Sequence, residues 1–339
     1  VSVTIGEVAR LAGVSKATVS RVLNGKPDVK LETKERIEAL IEELGFRPNV
    51  FAMAMSKQKS STIGIIIPYE ANYILSNPFY AEVLRGISTS LNAYGYYQLL
   101  CYHSHTNYVD VFKQKRVDGF ILLSPGGDQK VLAKALNEAE APFSTTSRLP
   151  DEENVIYVDV DNYYGATMAV DHLVSLGHRR IGCIMQGLET LASSKDRLRG
   201  YKDVLAKHSI SYSDSLVKVY DGNNFIENGY RAMGKFFQDK MLPTAIFAAN
   251  DMMAIGAIQA IKEKGLEIPK DISIVGFDDV PLAKYINPPL TTVSQPAFEK
   301  GKEAARLVIE MIDRKVTPAP KLLDVELSIR QSTGRCFLG

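Results

Sequence analysis

The sequence predicts a small all-α helix-turn-helix head followed by a larger α/β core of two lobes, each built on a doubly wound parallel sheet. Three observations carry this reading. The first 47 residues hold three short helical patterns punctuated by Gly13, Gly25 and Gly45. From Thr62 onward, buried-strand runs alternate with amphipathic helices, the order that gives parallel sheets with crossover helices. At 339 residues the chain also exceeds the ~100–200 residues of one ordinary domain.

The head is justified element by element. Thr4 is an N-cap with Glu7 three residues on, a capping box, and Ile5, Val8, Ala9 and Ala12 recur at helical spacing. Gly13 ends this helix and Val14 plugs the gap to the next. Ser15 caps a second helix whose stripe is Val19, Val22 and Leu23, stopped by Gly25 and Pro27. A third runs from about Glu32 to Leu44, with Ile37, Leu40, Ile41 and Leu44 inward. Two short helices joined by a tight Gly-Val-Ser turn, with a third behind, is helix-turn-helix design. The outer face of the second helix carries Lys16, Ala17, Ser20 and Arg21. Such a face can enter a ~12 Å major groove, where Lys and Arg reach guanine edges and small side chains allow close approach. The bland alternative is a structural three-helix domain.

Pro48 can open another helix and Asn49 can help cap it; Val50 to Met55 supplies about two turns, and Ser56 to Ser61 reads as linker. An isolated helix this short is unstable in water and needs a partner. Two copies laid in a minor groove would supply one, with Met55 as an apolar wedge between base steps. The alternative is a plain linker.

The core begins with the buried strand Ile63–Pro68. Helix Phe79–Tyr94, strand Tyr97–Cys101, strand Gly119–Leu123 and strand Asn154–Val158 follow. A second series starts near Asn162. It runs through helix Gly165–Leu176, strand Ile181–Met185, helix Ser194–His208, strand Leu216–Tyr220, helix Ile226–Gln238, strand Ala245–Ala249, helix Met252–Lys264 and strand Ile272–Phe277. Helix Gly301–Lys315 returns to the first lobe, and Leu322–Ile329 reads as a strand. The expected organisation is a head over 1–47, a hinge helix and linker over 48–61, and a core over 62–339. Its first lobe comprises 62–161 and 293–322, and its second 162–292 and 323–339.

Composition narrows the function classes. Lys and Arg total 40 against 39 Asp and Glu, which argues against both a histone-like and an acidic-tail protein. The balance is uneven: residues 1–60 carry 10 basic and 7 acidic side chains, net +3, leaving −2 for the remainder. No apolar run approaches ~18–20 residues, and no basic-then-apolar leader is visible at the N-terminus. Cys101, Cys183 and Cys336 are odd in number and widely spaced, as expected of reduced thiols in a cytoplasmic protein. No G-x-G-x-x-G follows the first strand, and neither a G-x-S-x-G nor a P-loop occurs, so an enzyme is not expected. A transport binding protein would not carry residues 1–60. Cys101, His103 and His105 alternate and could conceivably hold a metal. They read better as the polar overhang of a strand, and neither metal nor cofactor is expected.

The run Thr4-Ile5-x-x-Val8-Ala9-x-x-Ala12-Gly13-Val14-Ser15-x-Ala17-Thr18-Val19-Ser20-Arg21-Val22-x-Asn24, continued by Arg47-Pro48-Asn49, resembles the DNA-binding head of the lactose-repressor/galactose-repressor family of bacterial transcription regulators, its catabolite-control branch in particular. The family's hinge usually reads Ala-Arg-x-Leu, where this chain has Ala52-Met53-Ala54-Met55. The core resembles the family's periplasmic-binding-protein-like core. The motifs that carry this include Asn77-Pro78-Phe79-Tyr80, Leu176-Gly177-His178-Arg179-Arg180-Ile181, Asn250-Asp251-x-Met253-Ala254-x-Gly256 and Ile274-Val275-Gly276-Phe277-Asp278-Asp279. Between His103 and Val117 the chain is some eight residues shorter than usual, so the second helix of the first lobe should be short.

The resemblance implies a homodimer, with a tetramer left open, on a pseudo-palindromic double-stranded operator. Lys16, Ala17 and Arg21 would read bases; Thr4, Ser15, Thr18, Ser20 and Asn24 would hold phosphates; Asn49, Ala52 and Met55 would act from the hinge. Asn250 and Asp278 follow strands directly and Arg197 lies early in a helix, which places them where open α/β sheets bind ligands. Phe79, Tyr80 and Phe225 supply apolar faces. The resemblance matches these six, Phe79, Tyr80, Arg197, Phe225, Asn250 and Asp278, to effector-contacting positions. Helix caps, a structural ion pair for Arg197 and a core role for Phe225 are the competing readings. The polar–aromatic mix points to a sugar as effector, with a purine or a phosphoprotein co-effector as alternatives.

Overall fold

A computed structural model describes residues 3–46, 59–67, 77–102, 107–123, 129–149, 154–188, 191–220, 224–239, 242–314 and 317–336. The hinge helix, with Asn49, Ala52 and Met55, lies outside these residues, as do His103 and His105. The chain divides into two units, Val1–Ser60 and Ser61–Gly339.

In the first unit, α1 (Ile5–Leu11), α2 (Lys16–Leu23) and α3 (Leu31–Glu43) enclose a small core. The Thr4 hydroxyl accepts the Glu7 N–H at 3.3 Å and caps α1. Gly13 takes φ +64°, which lets the Val14 N–H turn back to the Ala9 carbonyl at 3.0 Å. The Ser15 Oγ then accepts the Thr18 N–H at 3.1 Å and starts α2. Val8, Val19 and Ile37 are fully buried, and Ala9, Ala12, Val22 and Phe46 close around them. Helix α3 begins and ends one residue earlier than its periodicity predicts, ordinary fraying at a helix end.

In the second unit, the first lobe contains β1 (Thr62–Ile67), α4 (Pro78–Ala93), β2 (Tyr97–Tyr102), α5 (Tyr108–Lys113), β3 (Gly119–Leu122), α6 (Gln129–Glu138), β4 (Phe143–Thr145) and β5 (Val158–Val160). Its sheet runs β2-β1-β3-β4, all parallel, with Ile65 opposite both Leu100 and Ile121. As the shortened segment predicts, α5 has only 6 residues. The second lobe contains α7 (Asn162–Ser175), β6 (Ile181–Gln186), α8 (Ala192–Lys207), β7 (Val217–Tyr220), α9 (Phe225–Phe236), β8 (Ala245–Ala248), α10 (Asp251–Glu263), β9 (Ser273–Asp278) and β10 (Thr291–Ser294). Helix α11 (Ala297–Arg314) and β11 (Lys321–Leu323) rejoin the first lobe, and β12 (Glu326–Ser328) ends in the second. The second sheet runs β12-β10-β9-β8-β6-β7, parallel except for β12 against β10.

Two details differ from the sequence pattern. The single strand expected over Leu322–Ile329 is two strands in different sheets, because the chain changes lobe at Asp324-Val325. The strand expected over Asn154–Val158 lies later, at Val158–Val160, with only a bridge at Tyr157. The lobes are thus joined three times: after β5, between β10 and α11, and between β11 and β12. Position 293 lies inside β10, so the second connection starts after Ser294.

Helix α11 is clamped onto α4 by a pair of glycines. A Cβ on Gly86 would sit 1.9 Å from the Phe298 carbonyl oxygen, and one on Gly301 2.0 Å from that of Val83. Only two glycines allow this approach, and it fixes where Lys300 and Phe298 project.

Candidate functional site

In the head, the outer face of α2 is the exposed one. Lys16, Ala17 and Arg21 are exposed, while Thr18, Ser20 and Asn24 are half-buried. Lys16 lies against Gly6, where even a Cβ would come within 2.9 Å of its Cε. Arg21 makes a 3.5 Å ion pair with Asp28, both side chains more than half exposed. That geometry leaves the guanidinium free to exchange partners, since exposed pairs contribute little. Thr4 and Ser15 sit at the helix N-termini, and the Ser15 and Thr18 hydroxyls are 3.0 Å apart. Asn24 turns inward: its amide nitrogen donates to the Ser20 carbonyl at 2.8 Å and closes the end of α2. Its Oδ1 is buried without a partner, and as an acceptor it cannot serve a phosphate.

In the core, both open sheets aim their strand ends at one cleft between the lobes, enclosing about 620 Å³, part of it open to solvent. Phe79, Tyr80, Arg197, Phe225, Asn250 and Asp278 all line it. Phe79 and Tyr80 enter at the first turn of α4, whose N-cap Asn77 accepts the Phe79 N–H at 3.1 Å. The two rings meet edge to face with centroids 5.4 Å apart. Asn250 caps α10 through the Met253 N–H at 2.8 Å, which uses its amide oxygen and leaves its amide nitrogen for another partner. Asp251 is not the cap. Fully buried, it accepts the Val280 N–H at 2.8 Å and the Thr292 hydroxyl at 2.5 Å, and so ties three elements together. Burial, and then the neighbouring Asp278, hold its carboxyl well above the usual carboxylate range.

Asp278 occupies an unusual backbone position. It has φ +121° and Asp279 has φ +52°, values that L side chains rarely adopt and that cost on the order of 1–3 kcal/mol each. Arg330 holds the turn, with its Nη2 2.6 Å from Asp279 and its Nη1 donating to the Leu290 carbonyl at 2.7 Å. Burial pushes the Asp278 carboxyl up to about 6, against the opposing pull of Arg197, Gln295 and Lys300. Arg197 stacks on the Phe277 ring, 3.6 Å from its centroid, and lies 3.9 Å from Asp278. It also donates to Asn162 Oδ1 at 2.9 Å and to the Ala249 carbonyl. Burial lowers its pKa, and Asp278 is the largest influence opposing that.

These contacts form part of a closed polar ring. Gln295 donates to Asp278 at 2.5 Å and accepts from Lys300 at 3.1 Å. Lys300 reaches Asp159 at 3.2 Å, Asn162 donates to Asp159 at 3.3 Å, and Arg197 completes the circuit to Asn162. The ring joins side chains from both lobes, and its two cations and two carboxylates balance. Sequence reasoning missed Asp159, Asn162, Gln295 and Lys300. Asp159 lies in strand β5 just before the first crossover, so the strand-end rule that found Asn250 and Asp278 could have found it. Lys300 gave no signal, because a lysine on an amphipathic helix reads as solvent-facing, yet it is only 3% exposed. Gln186, at the end of β6, also lines the cleft, and its Oε1 is buried without a hydrogen-bond donor.

Among the described residues, no helix is long and apolar enough to cross a membrane. Residues 4–49 match the family model for bacterial regulatory proteins of the lacI family, and residues 170–333 match a periplasmic binding protein-like domain. The chain is 33% identical to the HTH-type transcriptional regulator CelR of Thermobifida fusca, over 97% of this chain and 98% of that one. It is 33% identical to catabolite control protein A of Priestia megaterium, over 98% and 99%. It is likewise 33% identical to the HTH-type transcriptional repressor CytR of Escherichia coli, over 97% and 96%. Among solved structures it resembles the lac repressor dimer bound to operator and the anti-inducer ONPF, with a TM-score of 0.85, 28% identity and coverage of 98% and 100%. It also resembles the CelR–cellobiose complex, with a TM-score of 0.75, 31% identity and coverage of 97% and 99%. With its capped helix-turn-helix head, its two-lobed core and relatives that match it end to end, the chain belongs to the lacI family of bacterial regulatory proteins.

Proposed function

We propose that this protein is a sequence-specific DNA-binding transcriptional repressor whose operator affinity is set by a sugar bound between the lobes. The observation that carries the reading is one chain holding both devices. An exposed α2 face presents Lys16, Ala17 and Arg21, and a cleft gathers aromatic rings and hydrogen-bonding side chains whose charges are already balanced. A neutral polyhydroxylated ligand suits such a cleft, since planar Arg and carboxylate groups pair with adjacent hydroxyls while aromatics cover apolar ring faces. The relatives point the same way, one solved in complex with cellobiose and another as a dimer bound to operator. The protein acts in the cytoplasm as a homodimer on a pseudo-palindrome, by binding rather than by catalysis.

In this reading residues 1–47 recognise DNA, 48–61 couple, and 62–339 sense and dimerise. Lys16, Ala17 and Arg21 read bases; Thr4, Ser15, Thr18 and Ser20 hold phosphates; Asn49, Ala52 and Met55 act in the minor groove. Asn24 serves by closing α2. Phe79, Tyr80, Arg197, Phe225, Asn250 and Asp278 contact the effector. Effector binding shifts the lobe equilibrium, and the coupling to operator affinity is typically ~1–3 kcal/mol.

The test is fluorescence anisotropy on a palindromic duplex selected from a random pool, with and without a panel of sugars. The expected result is specific binding that a sugar changes about 5–150-fold. Lys16→Ala with Arg21→Ala should abolish discrimination between selected and scrambled duplexes, each lost base contact costing ~1–3 kcal/mol. Undiminished discrimination in that variant would refute the base-reading assignment.

A further inference from the structure

We propose that Gln186 is a specificity-determining residue of the cleft: beside Asn250, it reads one hydroxyl group of the effector, acceptor next to donor. This rests on the reading of the cleft as a sugar site. The charged groups there are largely committed to one another. Asp159 accepts from the Arg148 N–H at 2.9 Å, the Val160 N–H at 2.8 Å, Asn162 at 3.3 Å and Lys300 at 3.2 Å, which fills its acceptor capacity. Gln295 is engaged at both ends of its amide. Gln186 differs. It ends β6 and lines the cleft, and its Oε1 is buried with no donor. A buried acceptor without a partner carries its full desolvation penalty, which a hydrogen-bond donor on a ligand removes.

The sheet register supplies the donor. Strands β6 and β8 are parallel neighbours, with Ile184 opposite Ala248. The Ala249 N–H carries the ladder on to the Ile184 carbonyl at 2.8 Å, and Asn250 stays extended at φ −152° and ψ 165°. The same register continued to the strand ends sets Gln186 opposite Asn250, with the strands ~4.8 Å apart and both side chains on one side of the sheet. Asn250 also lines the cleft, and the Met253 N–H occupies its Oδ1, so it offers Nδ2. An amide donor and an amide acceptor therefore stand side by side on the wall of the second lobe. A hydroxyl satisfies both at once, since it accepts one hydrogen bond and donates another. A carboxylate, phosphate or ether oxygen would meet the Gln186 Oε1 acceptor to acceptor, and an ammonium would meet the Asn250 Nδ2 donor to donor. This corner of the cleft thus selects a hydroxyl and turns away an acidic or cationic substituent at the same place on the sugar.

Isothermal titration of the full chain with glucose, galactose, mannose, ribose, cellobiose and maltose identifies a sugar that binds, and its deoxy and deoxyfluoro analogues then locate the hydroxyl. Fluorine cannot donate, so the deoxyfluoro analogue removes only the contact to Gln186. The expected result is one position at which both replacements weaken binding at least about tenfold, the size of one buried hydrogen bond. Gln186→Met, nearly the same shape without the acceptor, should bind the sugar about tenfold more weakly and no longer distinguish it from that deoxyfluoro analogue. Gln186→Glu, which keeps an acceptor at the same reach, should retain the distinction. The thermal midpoint of each variant reports an intact fold. The assignment is overturned, with the sugar reading intact, if Gln186→Met binds the sugar as tightly as the parent chain does, or weakens the sugar and every analogue by one common factor. Loss of the distinction in Gln186→Glu would overturn it too, because shape rather than the acceptor would then be read. If no sugar binds at all, the sugar reading of the cleft falls, and the role of Gln186 with it.

Discussion

Replacing Lys300 with methionine should destabilise the core unit by about 3 kcal/mol, although a sequence reading would call the position a surface lysine. The residue is 3% exposed, and its ammonium serves Asp159 at 3.2 Å and Gln295 at 3.1 Å. Deleting one partner of a buried ion pair costs ~3–5 kcal/mol, because the other charge stays behind in a poor solvent. The lower end applies here, since Asp159 keeps the Val160 N–H at 2.8 Å, the Arg148 N–H at 2.9 Å and Asn162 at 3.3 Å. Methionine fills nearly the same volume, so little of the loss comes from packing. At ~2–4 °C per kcal/mol for a unit of this size, the core transition should fall by about 6–12 °C in a calorimetric scan. Adding Asp159→Asn removes the stranded charge but turns its amide nitrogen toward one of the two backbone N–H donors, so it should restore only part of that loss, still a non-additive pair. A Lys300→Met protein melting within about 1 °C of the parent, or a double variant whose losses simply add, would refute the ring as a buried electrostatic unit.

Two further outcomes follow from the geometry. Burial pushes the Asp278 carboxyl up to about 6, and protonation turns one of its two acceptor oxygens into a donor. Effector binding should therefore strengthen as pH rises through that value and be about tenfold weaker at pH 5 than at pH 7 in titration calorimetry; Asp278→Asn should flatten the profile. Gly86→Ala would push a Cβ to within 1.9 Å of the Phe298 carbonyl and 2.9 Å of the Lys302 nitrogen. Forcing α4 and α11 apart should cost about 1–3 kcal/mol, visible as a lowered thermal midpoint.

The fold was legible in the sequence to the extent that it follows from local signals. Thr4, Ser15 and Gly13 announce the head because caps and left-handed turns are short-range chemistry. Alternating strand runs and amphipathic helices announce two wound sheets because burial imposes its period on the chain. The third crossover falls inside the strand expected over Leu322–Ile329, although the expected lobe bounds already change at 322/323, because Asp324-Val325 interrupts a run of strand-forming residues only through tertiary demand. The site was legible wherever a polar residue directly follows a buried strand, as Asn250 and Asp278 do. It was illegible where partners come from far along the chain. Lys300 meets Asp159 across 141 positions, and Gln295 lies in a connection with no periodicity to read. Asp278 was found for its place at a strand end, but its strained backbone depends on Arg330, 51 residues beyond Asp279.

That dependence bears on the order in which the protein is made. Arg330 secures Asp279, Ser332 joins the Ile274 carbonyl at 2.6 Å to the Thr291 N–H at 2.8 Å, and Gly334 meets His178 and Ser273. The residues that hold Asp278 and Asp279 in place are thus synthesised after nearly all the rest of the core, whereas the head is made before the core and has a small core of its own. Domains fold as they emerge, N-terminal first. Each newly made molecule of the proposed repressor therefore passes through an interval in which its head is folded while its sensor is unfinished. A chain stopped short of Arg330 would keep the reading helix and lose the anchor that holds the answering pocket.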